Sequence, residues 1–262
     1  MKLISWNVNG IRAVHKKNFF FPFLDEQDPD VLFIQEIKGN VEQFPKVLAE
    51  NDKYHCFYNS AEKKGYSGTG LWLKKSLVEE PEFNNVLPDD PVSNEGRLVE
   101  ARFKVGTRKF AVLGAYFPNG GKSDQAWQDK LVYYEAFLKH VNQLREDGHT
   151  VIWCGDVNCA HEKIDLARPA ENDGVIGFHP REREWVTKVV ENGWRDVFRH
   201  LNPETKEVYS WWHYISKARD RNVGWRIDYF FCDQEQVSEV KKIEYLMNQF
   251  GSDHCPVMLD IF

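Results

Sequence analysis

Carboxylates, carboxamides, a phenol and an imidazole recur in six short clusters scattered over the whole chain. They are Asn7-Val8-Asn9-Gly10, Gln35-Glu36, Tyr116-Phe117-Pro118-Asn119, Gly155-Asp156-Val157-Asn158, Arg226-Ile227-Asp228-Tyr229 and Ser252-Asp253-His254. Each closes a run of apolar residues that reads as a buried strand. Strands ending in such groups gather one polar site from distant sequence, and the groups suit a hard divalent cation and a phosphate ester.

Each cluster has a plainer reading beside the chemical one. Glu36 follows an apolar run and sits at a strand end, where with Asn7 or Asn9 it can hold a cation. Alone, it is equally a surface glutamate opening a loop. Gly155 after a buried strand permits a sharp turn, and Asp156 and Asn158, two apart, then project to one side. Asp156 can then exchange a proton and Asn158 can orient a nucleophile, although an Asx turn uses the same composition. His254 beside Asp253, with Asp228 elsewhere, suggests a carboxylate that fixes the imidazole tautomer. Asp228 pairing with Arg226 is the alternative. Tyr116 can bond a phosphate oxygen or pack at the edge of a core.

The elements that must position these groups are legible in outline. Strands are expected at 2–8, 31–35, 54–59, 70–73, 98–103, 110–116, 151–154, 209–212, 227–232, 237–245 and 257–261. Helical spacing marks 122–147, ending before Gly148. A second long helix opens at Pro180 and stops at Gly193. A short or kinked helix is expected over 17–27, interrupted by Pro22, and another from Asn40 through Ala49. No linker divides the chain, so residues 1–262 read as a single domain of two packed sheets with helices outside.

With 262 residues, 42% hydrophobic and 28% charged, the composition is that of an ordinary globular protein. No apolar run suits a membrane helix or a secretory signal, and the odd count of five cysteines fits a reducing, cytoplasmic setting (nucleoid-associated if prokaryotic). Net charge is −6, yet Lys217, Arg219, Arg221 and Arg226 crowd a stretch interleaved with Trp211, Trp212 and Trp225. Basic groups among aromatics suit a pocket for an extruded nucleotide, or plain core packing.

Together with Trp6-Asn7-Val8-Asn9-Gly10-Ile11-Arg12, Gln35-Glu36-Ile37-Lys38, Lys64-Gly65-Tyr66-Ser67-Gly68, Glu95-Gly96-Arg97, Glu182-Arg183-Glu184 and Gly224-Trp225-Arg226-Ile227-Asp228-Tyr229, the clusters run in one order over the whole chain. That pattern resembles the exonuclease III family of abasic-site endonucleases, within the endonuclease/exonuclease/phosphatase superfamily. The resemblance implies a four-layer α/β sandwich of the deoxyribonuclease-I-like kind: two packed mixed sheets flanked by helices. It implies a magnesium-dependent phosphodiesterase (manganese substituting) that acts as a monomer on duplex DNA 5′ to abasic sites, with 3′-end processing and incision at modified bases as further activities.

By the same resemblance Asn7, Asn9, Glu36, Asp156, Asn158, Asp253 and His254 would surround the metal. Tyr116, Asp156, Asn158, Asp228 and His254 would carry catalysis. Arg12, Lys64, Tyr66, Asn119, Asn172, Trp211, Trp225 and Ile227 would meet DNA or line the abasic pocket. Asn9 stands where some members carry Asp, Val175 where some carry a second Asn, and Trp211 where others have Phe. A lipid or inositol-phosphate phosphatase shares the metal and Asp–His logic but leaves the Trp/Arg stretch unexplained. An inactive DNA-binding relative should have lost site residues, and here every ionisable one is filled.

Overall fold

The computed structural model describes residues 1–262. In its first half the apolar runs become β1 (Lys2–Asn7), β2 (Val31–Gln35), β3 (Tyr54–Asn59), β4 (Thr69–Lys74), β5 (Glu82–Asn84), β6 (Leu98–Val105) and β7 (Arg108–Tyr116), with α1 (Ile11–Lys16), α2 (Phe20–Gln27) and α3 (Lys46–Ala49) between them. The second half holds α4 (Asp124–Glu146), β8 (Thr150–Asp156), α5 (Pro180–Glu191), β9 (Trp194–Asp196), α6 (Val197–Leu201), β10 (Trp211–Trp212), β11 (Gly224–Trp225), β12 (Asp228–Asp233), β13 (Val240–Tyr245) and β14 (Val257–Ile261).

These strands form two six-stranded sheets, in the orders β13-β14-β1-β2-β4-β3 and β5-β6-β7-β8-β12-β9, and a ribbon β10-β11. Each large sheet is built round one parallel pair, β1 with β2 and β7 with β8. Parallel neighbours require a crossover, and α1–α2 and α4 supply it. Twenty-five buried side chains, Leu3, Phe33, Val112, Cys154 and Phe230 among them, fill the space between the sheets. A second set packs α1–α3 on the first sheet, and a third packs α4 and α5 on the other. The result is the expected four-layer sandwich of helices, sheet, sheet and helices.

Side-chain alternation explains where the polar groups go. Leu3, Val31, Phe33, Ile152, Cys154, Phe230 and Cys232 all face the inter-sheet core. On the same faces lie Asn7, four residues past Leu3, Gln35 and Asp156, two past Phe33 and Cys154, and Asp228, two before Phe230, because successive side chains in a strand alternate. All four are buried. The site is therefore the polar end of the inter-sheet core.

Several local expectations change. Pro22 is the third residue of α2 and does not interrupt it, since a first-turn residue needs no intrahelical N–H partner. Pro45 does divide its segment, into a 3-10 turn at 41–43 and the one-turn α3. Gly155 lies inside β8 rather than in a turn: its φ is +137°, and a Cβ there would stand 1.9 Å from the Ala115 carbonyl oxygen. The short β5, β9 and α6 had no clear apolar period to announce them.

Candidate active site

Register puts the clusters side by side. Tyr116 pairs with Asp156 across β7 and β8, Asp228 pairs with Asp156 across β12 and β8, and Asn7 pairs with Gln35 across β1 and β2. Asp156 thus ends a strand flanked by a phenol on one side and a second carboxylate on the other. Beyond the last paired residues the chain turns through left-handed backbone at Asn9, Glu36, Lys38 and Asn158, with φ between 47° and 54°. Non-glycine residues in this region are uncommon and concentrate at functional sites. Asx turns hold two of these corners: Asn9 N donates to Asn7 Oδ1 at 3.0 Å, and Asn158 N donates to Asp156 Oδ1 at 2.9 Å. Here the turn and the site use the same residues.

Asn7 bridges the two sheets. Its Nδ2 donates to Glu36 Oε1 at 2.9 Å and to Asp156 Oδ2 at 2.9 Å. At the same Asp156 oxygen, His254 Nε2 lies 3.8 Å from Oδ2, and His254 Nδ1 bonds Asp228 Oδ2 at 2.8 Å. Asp228 is therefore the histidine's partner, while Arg226 turns away to Asp165 and Asp196. Glu36, Asp156 and His254 each bring one ligand-type atom within 4.8 Å of the others.

The charge states follow from this packing. Burial pushes Asp156 up, the facing Asp228 adds to it, and His254 opposes it; the carboxyl rises to about 7. Burial alone would lower His254, but Asp228 and Asp156 outweigh it and raise the imidazole to about 10. It is held as imidazolium. Burial also works against the Glu36 charge, yet the Lys38 ammonium and the Asn7 amide keep its carboxyl below the usual range. Burial and the charge of Glu36 hold the Tyr116 phenol protonated.

A cation fits this donor set. Two carboxylates provide hard oxygen chemistry, Asn7 holds both through its Nδ2, and Lys38 already places its ammonium 2.6 Å from Glu36 Oε2 while donating to Asn9 Oδ1. Asp253 stands apart. Its oxygens accept from Asn9 Nδ2 at 2.8 Å, Ser252 Oγ at 3.2 Å and Trp211 Nε1 at 3.1 Å. Asn158 is likewise engaged on both sides of its amide, by Asn119 at 3.1 Å and the Phe117 carbonyl at 2.9 Å.

Beside the histidine, Ala160, Leu166, Phe178 and Ile227 form a small apolar cluster with Trp211 and Trp225 packed against it. The two indoles meet edge to face at 6.4 Å. Trp212 instead joins the inter-sheet core. Lys63 and Lys122 lie over the Tyr66 ring at 5.2 and 3.9 Å. Arg12 donates to the Lys38 carbonyl at 3.1 Å, and Asn172 to the Arg168 carbonyl at 2.7 Å. Lys64 is exposed.

Three residues at the site had no role assigned from sequence. Lys38 is one. Arg97, buried between the rings of Tyr66 and Tyr116 and paired with Glu95, is another. The third, Ser210, accepts the amides of Ile227 at 2.9 Å and Asp228 at 3.0 Å. Lys38 and Arg97 lay within the quoted motifs. Ser210 carries no sequence signal, because a hydroxyl in a strand is ordinary.

A family model described as "Endonuclease/Exonuclease/phosphatase family" matches residues 4–254. The chain is 39% identical over 261 residues to an exodeoxyribonuclease of Bacillus subtilis (strain 168), covering 100% of this chain and 99% of that one. It is 33% identical to a DNA-(apurinic or apyrimidinic site) endonuclease of Dictyostelium discoideum, covering 98% of this chain and 69% of that one. Among solved structures, an AP endonuclease of Leishmania major superimposes with a TM-score of 0.87 at 28% identity, covering 98% and 86% of the two chains.

Proposed function

Because this chain belongs to the endonuclease/exonuclease/phosphatase family, we propose that it is a DNA-repair nuclease of the exonuclease III type that incises duplex DNA 5′ to abasic sites. It leaves a 3′-hydroxyl and a 5′-deoxyribose phosphate, and it trims damaged 3′ ends at the same site. Residues 1–262 act as one catalytic unit and as a monomer. The observation that carries this reading is the place of Asp156. One buried carboxyl lies between Tyr116, the Asp228–His254 pair and the Asn7–Glu36 pair, near an apolar cluster that carries Trp211 and Trp225.

The residues divide the work by charge. The imidazolium of His254, held by Asp228, and the neutral phenol of Tyr116 donate to the phosphate oxygens as charge builds on them. Asp156, whose carboxyl burial and the facing Asp228 push up, takes the proton from the attacking water. Asn158 orients that water without adding charge. Glu36, with Asp156 and Asn7 beside it, would hold a magnesium ion (manganese substituting), which when bound neutralises phosphate charge and favours the leaving oxygen. Asn9 and Asp253 support that end through Lys38 and Trp211.

Trp211, Trp225 and Ile227 receive a sugar that carries no base. Such a nucleotide has lost its stacking and pairing, so it swings out of the helix more readily than an intact one. Arg12, Lys64, Tyr66, Asn119 and Asn172 follow the backbone on either side. A substrate panel tests the reading: a duplex with one tetrahydrofuran residue, the intact duplex, and an inositol polyphosphate. Selective incision of the first supports it. Phosphate release from the inositol ester with both duplexes intact would move the protein to the phosphatase branch of the family. No helix is long and apolar enough to cross a membrane.

A further inference from the structure

Lys130 and Glu182 form an ion pair in which neither side chain has any exposed surface. Lys130 comes from α4 and Glu182 from the first turn of α5, and neither touches the reacting groups. The lysine has three donors, and all are used: the Asn119 carbonyl at 3.2 Å, the Asn158 carbonyl at 2.8 Å, and Glu182 Oε1. The other oxygen of Glu182 accepts the amides of Gly177 at 2.7 Å and His179 at 3.0 Å. One pair therefore ties down three loops that rim the site.

The ties converge on two functional groups. The Asn158 side chain is oriented entirely from the loop at 117–119, by Asn119 Nδ2 and the Phe117 carbonyl. Lys130 fixes that loop and Asn158's own backbone together. Gly177, held through its amide by Glu182, also accepts Ala160 N through its carbonyl at 2.8 Å. A Cβ on Gly177 would lie 3.2 Å from the Trp225 ring, so the loop is the floor on which Trp225 rests. Desolvating two charges makes a buried ion pair a poor source of stability compared with apolar residues of the same volume. Five directed hydrogen bonds are what apolar residues could not supply.

We propose that the Lys130–Glu182 pair is a positioning device for the reaction, Lys130 setting the Asn158 carboxamide and Glu182 setting the loop beneath Trp225. This rests on the proposed roles of Asn158 and Trp225. The test is a cycle of single-turnover incision rates on a tetrahydrofuran duplex, with folding checked by near-UV circular dichroism. Lys130→Met/Glu182→Gln keeps the site neutral and the volumes similar.

The expected loss for that double variant is roughly 10- to 100-fold in rate, with duplex affinity falling less than about threefold. In an Asn158→Ala background the same change should cost clearly less than in wild type, because one of the two groups it positions is gone. Equal losses in the two backgrounds, or no loss in either, would overturn the proposal. Should the double variant fail to fold, Glu182→Gln alone decides. It keeps Lys130 and should reduce discrimination of abasic over intact duplex; unchanged discrimination and rate overturn the proposal. If the wild type leaves the abasic duplex intact but hydrolyses a bis-aryl phosphodiester, the functional reading fails and the same cycle, run on that ester, still decides the pair.

Discussion

Asp156 meets Asn7, His254, Asp228 and Tyr116 at once. As the proton acceptor it should be irreplaceable: Asp156→Asn keeps the shape and the Asn7 contact but removes basicity. Incision should fall by at least roughly 100-fold while binding of an abasic duplex, read by fluorescence anisotropy in chelator, stays within about threefold. Loss of binding together with a collapsed melting curve would make Asp156 structural. His254 carries a stability signature. Its pKa in the folded state is raised from 6.5 to about 10, so its contribution is fully present below pH 6.5 and is lost as pH rises through about 10. Metal-free wild type should accordingly lose its thermal advantage over His254→Gln between pH 7 and 10. A constant difference across that range would contradict the imidazolium assignment.

Sequence spacing identified most of these groups but not their partners. Asn7, Glu36, Asp156, Asp228 and His254 are recognisable because polar residues at the ends of apolar runs are few. Which of them touch depends on strand order, and β1, β2, β8, β12 and the loop before β14 come together only through the sheets. Asp253 shows the limit most clearly. In sequence it is simply the acid beside the histidine, whereas in the fold it is bonded to Asn9, Ser252 and Trp211.

At the scale of elements, β12 is anchored at its start by buried charge. Arg226 has no exposed surface and bonds Asp165 and Asp196, and Asp165 also accepts Arg199 at 2.7 Å. Burial works against the Asp165 charge, but the two arginines hold its carboxyl down at about 2. Its stabilisation is therefore present above the unfolded value near 3.8 and lost as pH falls through about 2. Asp165→Asn should cost roughly 3 kcal/mol or more at pH 7 by leaving buried arginines short of a partner. The gap to wild type should narrow between pH 4 and 2 in thermal melts. A gap independent of pH would mean that packing, not the ion pair, accounts for the loss.

Element types were legible wherever period and punctuation agreed, as in the long α4 and in α5 between Pro180 and Gly193. They were not where tertiary structure overrode a local signal. Pro22 falls in a first turn and is harmless. Gly155 reads as a turn residue but is a strand residue, because β7 comes too close to admit a Cβ. Gly155→Ala should destabilise by about 3 kcal/mol or more through that clash and its positive φ. A melting temperature within a degree of wild type would show that β7 and β8 can separate locally.

Across the whole molecule a net charge of −6 has to be reconciled with a polyanionic substrate. The reconciliation is local. Lys17, Lys217 and Arg219 line a cavity of ≈ 890 Å³ that reaches Asn9 and Asp253, and Lys63 and Lys122 gather at Tyr66 on another side of the site. With three to four phosphates neutralised, raising salt from about 50 to about 200 mM should weaken abasic-duplex binding roughly 40- to 150-fold. An affinity indifferent to salt would exclude a backbone-tracking interface. The two sheets also share one plan, a central parallel pair whose strands end at the site. No sequence repeat signals that likeness, since it lies in topology and not in residue identity.

In the proposed function the polar end of the inter-sheet core hydrolyses the phosphodiester 5′ to an abasic residue, with Asp156 as the base and a divalent cation held at Glu36. Single-turnover cleavage of a 5′-labelled tetrahydrofuran duplex, with magnesium or with chelator, followed by polymerase extension of the product, tests it most directly. The predicted result is incision in magnesium only, by wild type and not by Asp156→Asn, with a 3′-hydroxyl that the polymerase extends. An uncut strand in magnesium, cleavage that persists in chelator, or a 3′ end that cannot be extended would contradict it.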